Sequence, residues 1–124
     1  MSSIRNSHNV WLVLKNHISH DQEELWCLAL NSECQLLGKQ MIFRGTVNSC
    51  LACPRDIFRY VITMNACNYV IAHSHPSGNA DPSLQDIEFT NKLNHLSDFM
   101  EINLIDHIIV TRTSCFSFKN SGLI

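Results

Sequence analysis

The sequence predicts an α/β domain, and three of its features carry that reading. Segments with helical apolar spacing alternate with short β-patterned runs, in the order helix, strand, strand, helix, strand, helix, strand, strand. Of the 124 residues, 45% are hydrophobic, enough for one core that takes roughly two-thirds of the unfolded surface out of water. The apolar run over residues 69–72 passes through a Pro- and Gly-containing turn at 76–82 into an apolar-periodic helix.

Taken in order, Ser7 is a candidate N-cap for a first helix over residues 8–17, with Trp11, Leu14 and Ile18 at near-helical spacing. Residues 25–31 and 36–44 read as paired strands around the polar turn Asn31-Ser-Glu33. Pro54 suits the first turn of a helix running to about residue 67, with Ile57, Tyr60, Val61 and Met64 on one face. A strand over 69–73 follows after a tight link. The second long helix, over 83–100, places Phe89, Leu93, Leu96 and Met100 on a stripe that reads as core. Residues 103–110 and 115–118 are strand-like. There is no repeat, low-complexity tract or internal linker, so residues 1–124 read as a single domain, with 1–20 a helical lead-in to a core over 21–124.

The chemistry gathers where the strand over 69–73 ends. His73 and His75, then Pro76, Ser83 and Asp86 stand in H-x-H-P-x6-S-x2-D spacing. On an extended strand, residues two apart project to the same face, so the two imidazoles can address one point in space. The turn over 76–82 reverses the chain, and a helix starting near Ser83 swings Asp86 back toward them. Two neutral imidazoles and a carboxylate suit zinc, and three protein ligands leave the fourth tetrahedral position open to water, as in catalytic sites. Each part alone also has a structural reading, since Ser83-x-x-Asp86 is a helix cap with an acidic first turn. Packing, however, has no need of the whole combination.

The segments Arg44-Gly-Thr-Val-Asn-Ser49, Pro54-Arg-Asp56, Asn65-Ala66, Ala72-His-Ser-His-Pro-Ser-Gly78, Pro82-Ser83, Asp86 and Leu104-Ile-Asp-His-Ile-Ile-Val110 closely resemble the RadC family. That family belongs to the JAMM/MPN metalloprotein superfamily. The resemblance runs from about Glu23 to the C-terminus. It implies an MPN (JAB/JAMM-like) domain, a mixed β-sheet flanked by helices and related to the cytidine-deaminase-like architecture, with zinc on His73, His75 and Asp86. Longer RadC proteins carry an N-terminal helical segment for which 124 residues leave no room. Their motif usually has Asn where this chain has Ser74, a position whose side chain points away from the metal if strand parity holds.

The mechanism implied is metal-assisted hydrolysis of a peptide or isopeptide bond, in which zinc acidifies its water and polarises the scissile carbonyl. JAMM enzymes take their base from a glutamate ahead of an early strand. Counting back from Leu30-Asn31 in the RadC pattern selects Glu23, whereas the register of more distant JAMM proteins selects Glu24; Glu23 is preferred. Ser83 is placed to hydrogen-bond the oxyanion, although its hydroxyl could equally be spent on the helix cap. The substrate is expected to be a peptide or protein of unspecified identity. The superfamily often pairs its domains, which makes a homodimer an expectation to test, and many MPN domains act as non-catalytic assembly modules.

Other classes fit less well. A net charge of −2 with scattered basic residues gives no field for a phosphate backbone, so the DNA-repair association of the family name finds no support in the charge. No apolar run approaches the ~20 residues that span a bilayer, and the N-terminus lacks the apolar segment of a signal peptide. A cytoplasmic protein is the expectation. Six cysteines are present, and Cys50-Leu-Ala-Cys53 looks like half a zinc knuckle without its second half; all six read as free thiols. A zinc nucleoside deaminase needs H-x-E and a downstream P-C-x-x-C; here His75 replaces that glutamate and the C-x-x-C lies upstream. Asp106-His107 reads as an internally hydrogen-bonded pair rather than a second metal site. His8, His17, His20 and His95 read as surface residues.

Overall fold

The computed structural model describes residues 2–45 and 53–124. Its strands are β1 (Glu23–Leu30), β2 (Leu36–Gly45), β3 (Asn68–Ser74), β4 (Asn103–Val110) and β5 (Cys115–Ser117), and its helices α1 (Ser7–Leu14), α2 (Pro54–Thr63) and α3 (Leu84–Met100). The strands form one sheet in the order β2-β1-β3-β4-β5. It is mixed: β3 and β4 run parallel, and the other neighbours are antiparallel. A parallel pair needs a crossover, and α3 supplies it.

Strand alternation divides the sheet into two faces. Leu25 and Cys27 of β1 and Tyr69 and Ile71 of β3 pack under α2 and α3 with Ile57, Phe58, Val61 and Leu93. The alternate positions Leu28, Leu30, Val70, Ala72, Ile108 and Val110 pack under α1 with Val10 and Leu14. The first residues are therefore a structural layer, and Ser3 bridges Gln35 at the hairpin end. That hairpin closes through Asn31, whose Oδ1 accepts from the backbone N–H groups of Glu33 and Gln35. The β1–β2 ladder slips at Leu25/Trp26 and Ala29/Leu30 and the β3–β4 ladder at Tyr69/Val70, whereas the β1–β3 ladder runs without a shift from Leu25↔His73 to Leu30↔Asn68.

Several ends differ from the sequence reading. Asn6 rather than Ser7 caps α1, its side chain accepting from the Asn9 N–H. Helix α2 stops at Thr63, short of residue 67, because Asn65 turns left-handed with φ 54° and the Ala66 N–H closes back on the Val61 carbonyl. The stripe expected on α3 is only half right. Leu93 is buried, but Leu96 and Met100 are 37% and 40% exposed. The buried positions of α3 are Asp86, Thr90, Leu93 and Ser97, because this face meets polar partners: Ser97 Oγ lies 2.5 Å from the Tyr69 hydroxyl. β5 ends at Ser117, and Phe118 is buried just beyond it. No helix among the described residues is long and apolar enough to cross a membrane.

Candidate metal centre

The parity that buries Tyr69 and Ile71 beneath α3 carries His73 to the same side at the strand end. His75 lies one residue beyond β3, where its backbone N–H reaches the Val110 carbonyl. The chain then reverses through Gly78, whose φ of 86° suits glycine. That turn brings the Asn79 carbonyl 2.8 Å from His75 Nδ1. Helix α3 starts with a capping box: Ser83 Oγ accepts from the Asp86 N–H, and the Asp86 carboxylate accepts from the Ser83 N–H. The cap aims Asp86 at the histidines.

Four side chains converge. His73 Nε2 lies 3.1 Å from Glu23 Oε1 and 3.6 Å from Asp86 Oδ1, and His75 Nε2 lies 3.1 Å from Asp86 Oδ2. The two rings meet edge to face at 4.5 Å. One donor atom each from Glu23, His73 and His75 falls within a 4.8 Å group that could hold a metal ion, and Asp86 adjoins that group through both its oxygens. A backbone carbonyl can only accept, so in the neutral ring His75 Nδ1 holds the proton and Nε2 faces Asp86 as a lone pair. Two imidazoles facing two carboxylates are balanced either by protons on the imidazoles or by a cation among the four. A borderline-soft ion such as zinc fits this N/O donor set, and each histidine has its other nitrogen hydrogen-bonded, as metal-binding histidines do.

Without a metal, the same contacts favour the protonated form of His75, which then donates to Asp86. Burial alone would raise the Asp86 carboxyl, but the hydrogen bond to His75, the charge of His73 and the Ser83 contacts outweigh it and hold Asp86 well below the usual carboxylate range. His75 is opposed by burial, yet Asp86, the Asn79 carbonyl and Glu23 raise it above an ordinary histidine. His107 is fully buried, and desolvation together with the nearby His73 pushes it well down.

The two candidate glutamates go to opposite faces of β1. Ser74, the variable residue of the histidine motif, is fully buried on the side away from the site. Its Oγ accepts from the Glu24 N–H and donates to the Gln22 carbonyl, clasping the residues on either side of Glu23. Glu23 thus points at His73. Glu24 is buried on the other face, accepting from the Ser19 N–H, Trp26 Nε1 and Arg44, with an Arg44 Nη2–Oε2 distance of 2.7 Å.

Asp106 and His107 do not pair side chain to side chain. Asp106 accepts from the His107 N–H, the Ser117 hydroxyl and the Lys119 N–H. The His107 ring instead faces the site, its Nε2 3.1 Å from His73 Nδ1 and its Nδ1 2.6 Å from Thr90 Oγ1. No local pattern links Thr90 and His107 to His73, and only the alternation of β4 could have placed His107 on that face. His8, His17 and His95 are exposed, whereas His20 is half-buried with Nδ1 unpartnered. Cys27, Cys34, Cys53, Cys67 and Cys115 are free; Cys50, and with it the expected Cys50–Cys53 pairing, lies outside the described residues.

Comparison with known proteins agrees with this architecture. The model of the RadC-like JAB domain matches residues 4–123. A UPF0758 protein of Pelodictyon phaeoclathratiforme is 38% identical over 103 residues, covering 83% of this chain and 46% of its own length. One from Pseudoalteromonas translucida is 41% identical over 103 residues with the same coverage, 83% and 46%. One from Haemophilus influenzae is 34% identical over 122 residues, covering 98% of this chain and 55% of its own length. The chain spans about half the length of these curated relatives. With a family match over nearly its whole length, a five-stranded mixed sheet flanked by helices and the H-x-H…S-x-x-D motif at the strand end, the chain belongs to the RadC-like JAB domain family.

Proposed function

We propose that this chain is a zinc-dependent hydrolase of the JAMM type, cleaving a peptide or isopeptide bond with an activated water. The observation that supports it most is the convergence of two imidazoles, His73 and His75, on two carboxylates, Asp86 and Glu23. His73, His75 and Asp86 hold the metal in this reading. When bound, zinc supplies Lewis acidity, bringing the pKa of a water toward about 7 and polarising a carbonyl.

The protein's own groups divide the remaining work. Asp86 is 3% exposed and fixed by the cap, which suits a ligand that stays put. The Glu23 side chain is 21% exposed, with His73 as its partner, which suits a base that takes a proton from the attacking water and gives it to the leaving amine. The cap uses a lone pair of Ser83 Oγ and leaves its O–H free to donate to an oxyanion. A peptide or protein substrate, a cytoplasmic setting and a paired form belong to the same proposal.

The test is substitution in zinc-loaded protein assayed on peptide and isopeptide libraries. Glu23→Gln should keep full zinc occupancy while hydrolysis falls about 100-fold or more. Asp86→Asn should weaken zinc binding sharply. Turnover that survives Glu23→Gln but not Glu24→Gln would reverse the assignment of the base. Wild-type protein that binds zinc and cleaves nothing would favour a metal-containing assembly module instead.

A further inference from the structure

We infer that Thr90 and His107 are a positioning pair that fixes which nitrogen His73 turns toward the metal centre. The inference rests on the reading of His73 as a ligand, and it concerns residues that touch neither metal nor substrate. Both are fully buried. The His107 ring stacks on Phe118 at 4.4 Å and an interplanar angle of 8°. An apolar pair would pack there without leaving polar atoms to satisfy, so the hydrogen bonds are what these residues add.

The polarity of the chain follows from its far end. Thr90 Oγ1 donates its single proton to the Asp86 carbonyl at 2.7 Å, one turn back in α3. The same oxygen lies 2.6 Å from His107 Nδ1 and therefore accepts from it. A neutral imidazole holds one N–H, so His107 Nε2 is a lone pair and accepts from His73 Nδ1–H at 3.1 Å. His73 Nε2 is then a lone pair too, and it faces Glu23 and Asp86. The reverse polarity would put the His73 proton on Nε2, in the middle of the acceptor cluster, and close the site to a metal. Because the chain ends on the backbone of Asp86 itself, a ligand from β3 and a ligand from α3 are held by one line of hydrogen bonds.

The test compares zinc affinity, by competition with a chelating dye, with thermal stability. His107→Phe keeps the stack on Phe118 but removes the acceptor, and Thr90→Val keeps shape but removes the hydroxyl. Each should weaken zinc binding about 10- to 100-fold, the usual effect of losing a ligand's orienting partner. The conservative His107→Gln, whose amide oxygen can accept from His73, and Thr90→Ser should stay within about threefold of wild type, being able to make the same bonds. Nitrogen-15 NMR of zinc-loaded wild type should show the proton on Nδ1 of both His73 and His107. Folded His107→Phe or Thr90→Val with wild-type zinc affinity, or an Nε2 proton on His107, would overturn the pairing alone. Wild-type protein that binds no zinc would overturn both this inference and the metal reading beneath it.

Discussion

Glu23 and Glu24 are neighbours in sequence with separate duties, and the difference is one of strand face. Glu24 is 1% exposed and has a guanidinium, an indole N–H and a backbone N–H as partners. Burial pushes its carboxyl up, but those contacts together bring it below the ordinary value. A depressed folded pKa contributes stability above the unfolded value, about 4.3, and loses it as pH falls through the folded value. Glu24→Gln should therefore destabilise by about 1–2 kcal/mol at pH 7. The gap to wild type should narrow as the pH falls below the unfolded value, as urea denaturation at pH 7 and pH 3 can measure. An undiminished gap at pH 3 would show that the charge of Glu24 is not what matters. The convergence of His73, His75 and Asp86 is legible from the sequence because their spacing is local. His107 is not legible, since 34 residues separate it from His73 and only the parallel pairing of β3 and β4 brings them together.

At the scale of elements, α3 carries most of the surprises. Its buried face holds Asp86, Thr90 and Ser97 as well as Leu93, so apolar spacing alone finds only half of that face: Phe89 and Leu93 pack on the core, whereas Leu96 and Met100 do not. Burial here follows what the helix meets, a polar strand end and the Tyr69 hydroxyl, rather than its own hydrophobicity. Its C-terminus is closed by Glu101 in the left-handed region, φ 58°, while the Ile102 N–H returns to the Ser97 carbonyl. Glycine meets that geometry without the Cβ penalty. Glu101→Gly should therefore raise stability by roughly 0.5–1 kcal/mol and with it the melting temperature; a drop would mean that the Glu101 side chain contributes more than its backbone strain costs. Element order and type are legible throughout, because each segment carries its own period. The ends are less so, since Asn6 and Asn65 each settle a boundary through a single local conformation.

For the molecule as a whole, two apolar clusters, one on each face of the sheet, are built without the candidate metal ligands. The proposed metal centre is thus an addition to a fold that already has its core, unlike small domains that fold only around zinc. Zinc at 100 times its dissociation constant should add about 2.7 kcal/mol. Chelation should accordingly lower the melting temperature while leaving the far-ultraviolet circular dichroism at 25 °C unchanged; loss of that signal on chelation would mean that the clusters cannot hold the sheet alone. The mixed sheet and flanking helices are legible through family resemblance, whereas the three-layer arrangement, with α1 alone beneath the far face, is not marked by any local pattern.

The clasp of Ser74 on the neighbours of Glu23 makes the sheet a measuring device with one rigid side and one slack side. All irregularity in β1 falls toward β2, its edge partner, where two slips are absorbed; none falls toward β3. A further slip on the β2 side would change only how the edge strand lies. A slip of a single residue on the β3 side would turn every side chain of β1 over, presenting Glu24 to His73 and burying Glu23 beneath the other face. The identity of the acid at the centre is thus written in a spacing between two strands, and insertions or deletions in this chain should be tolerated along β2 and lethal to the site along β1.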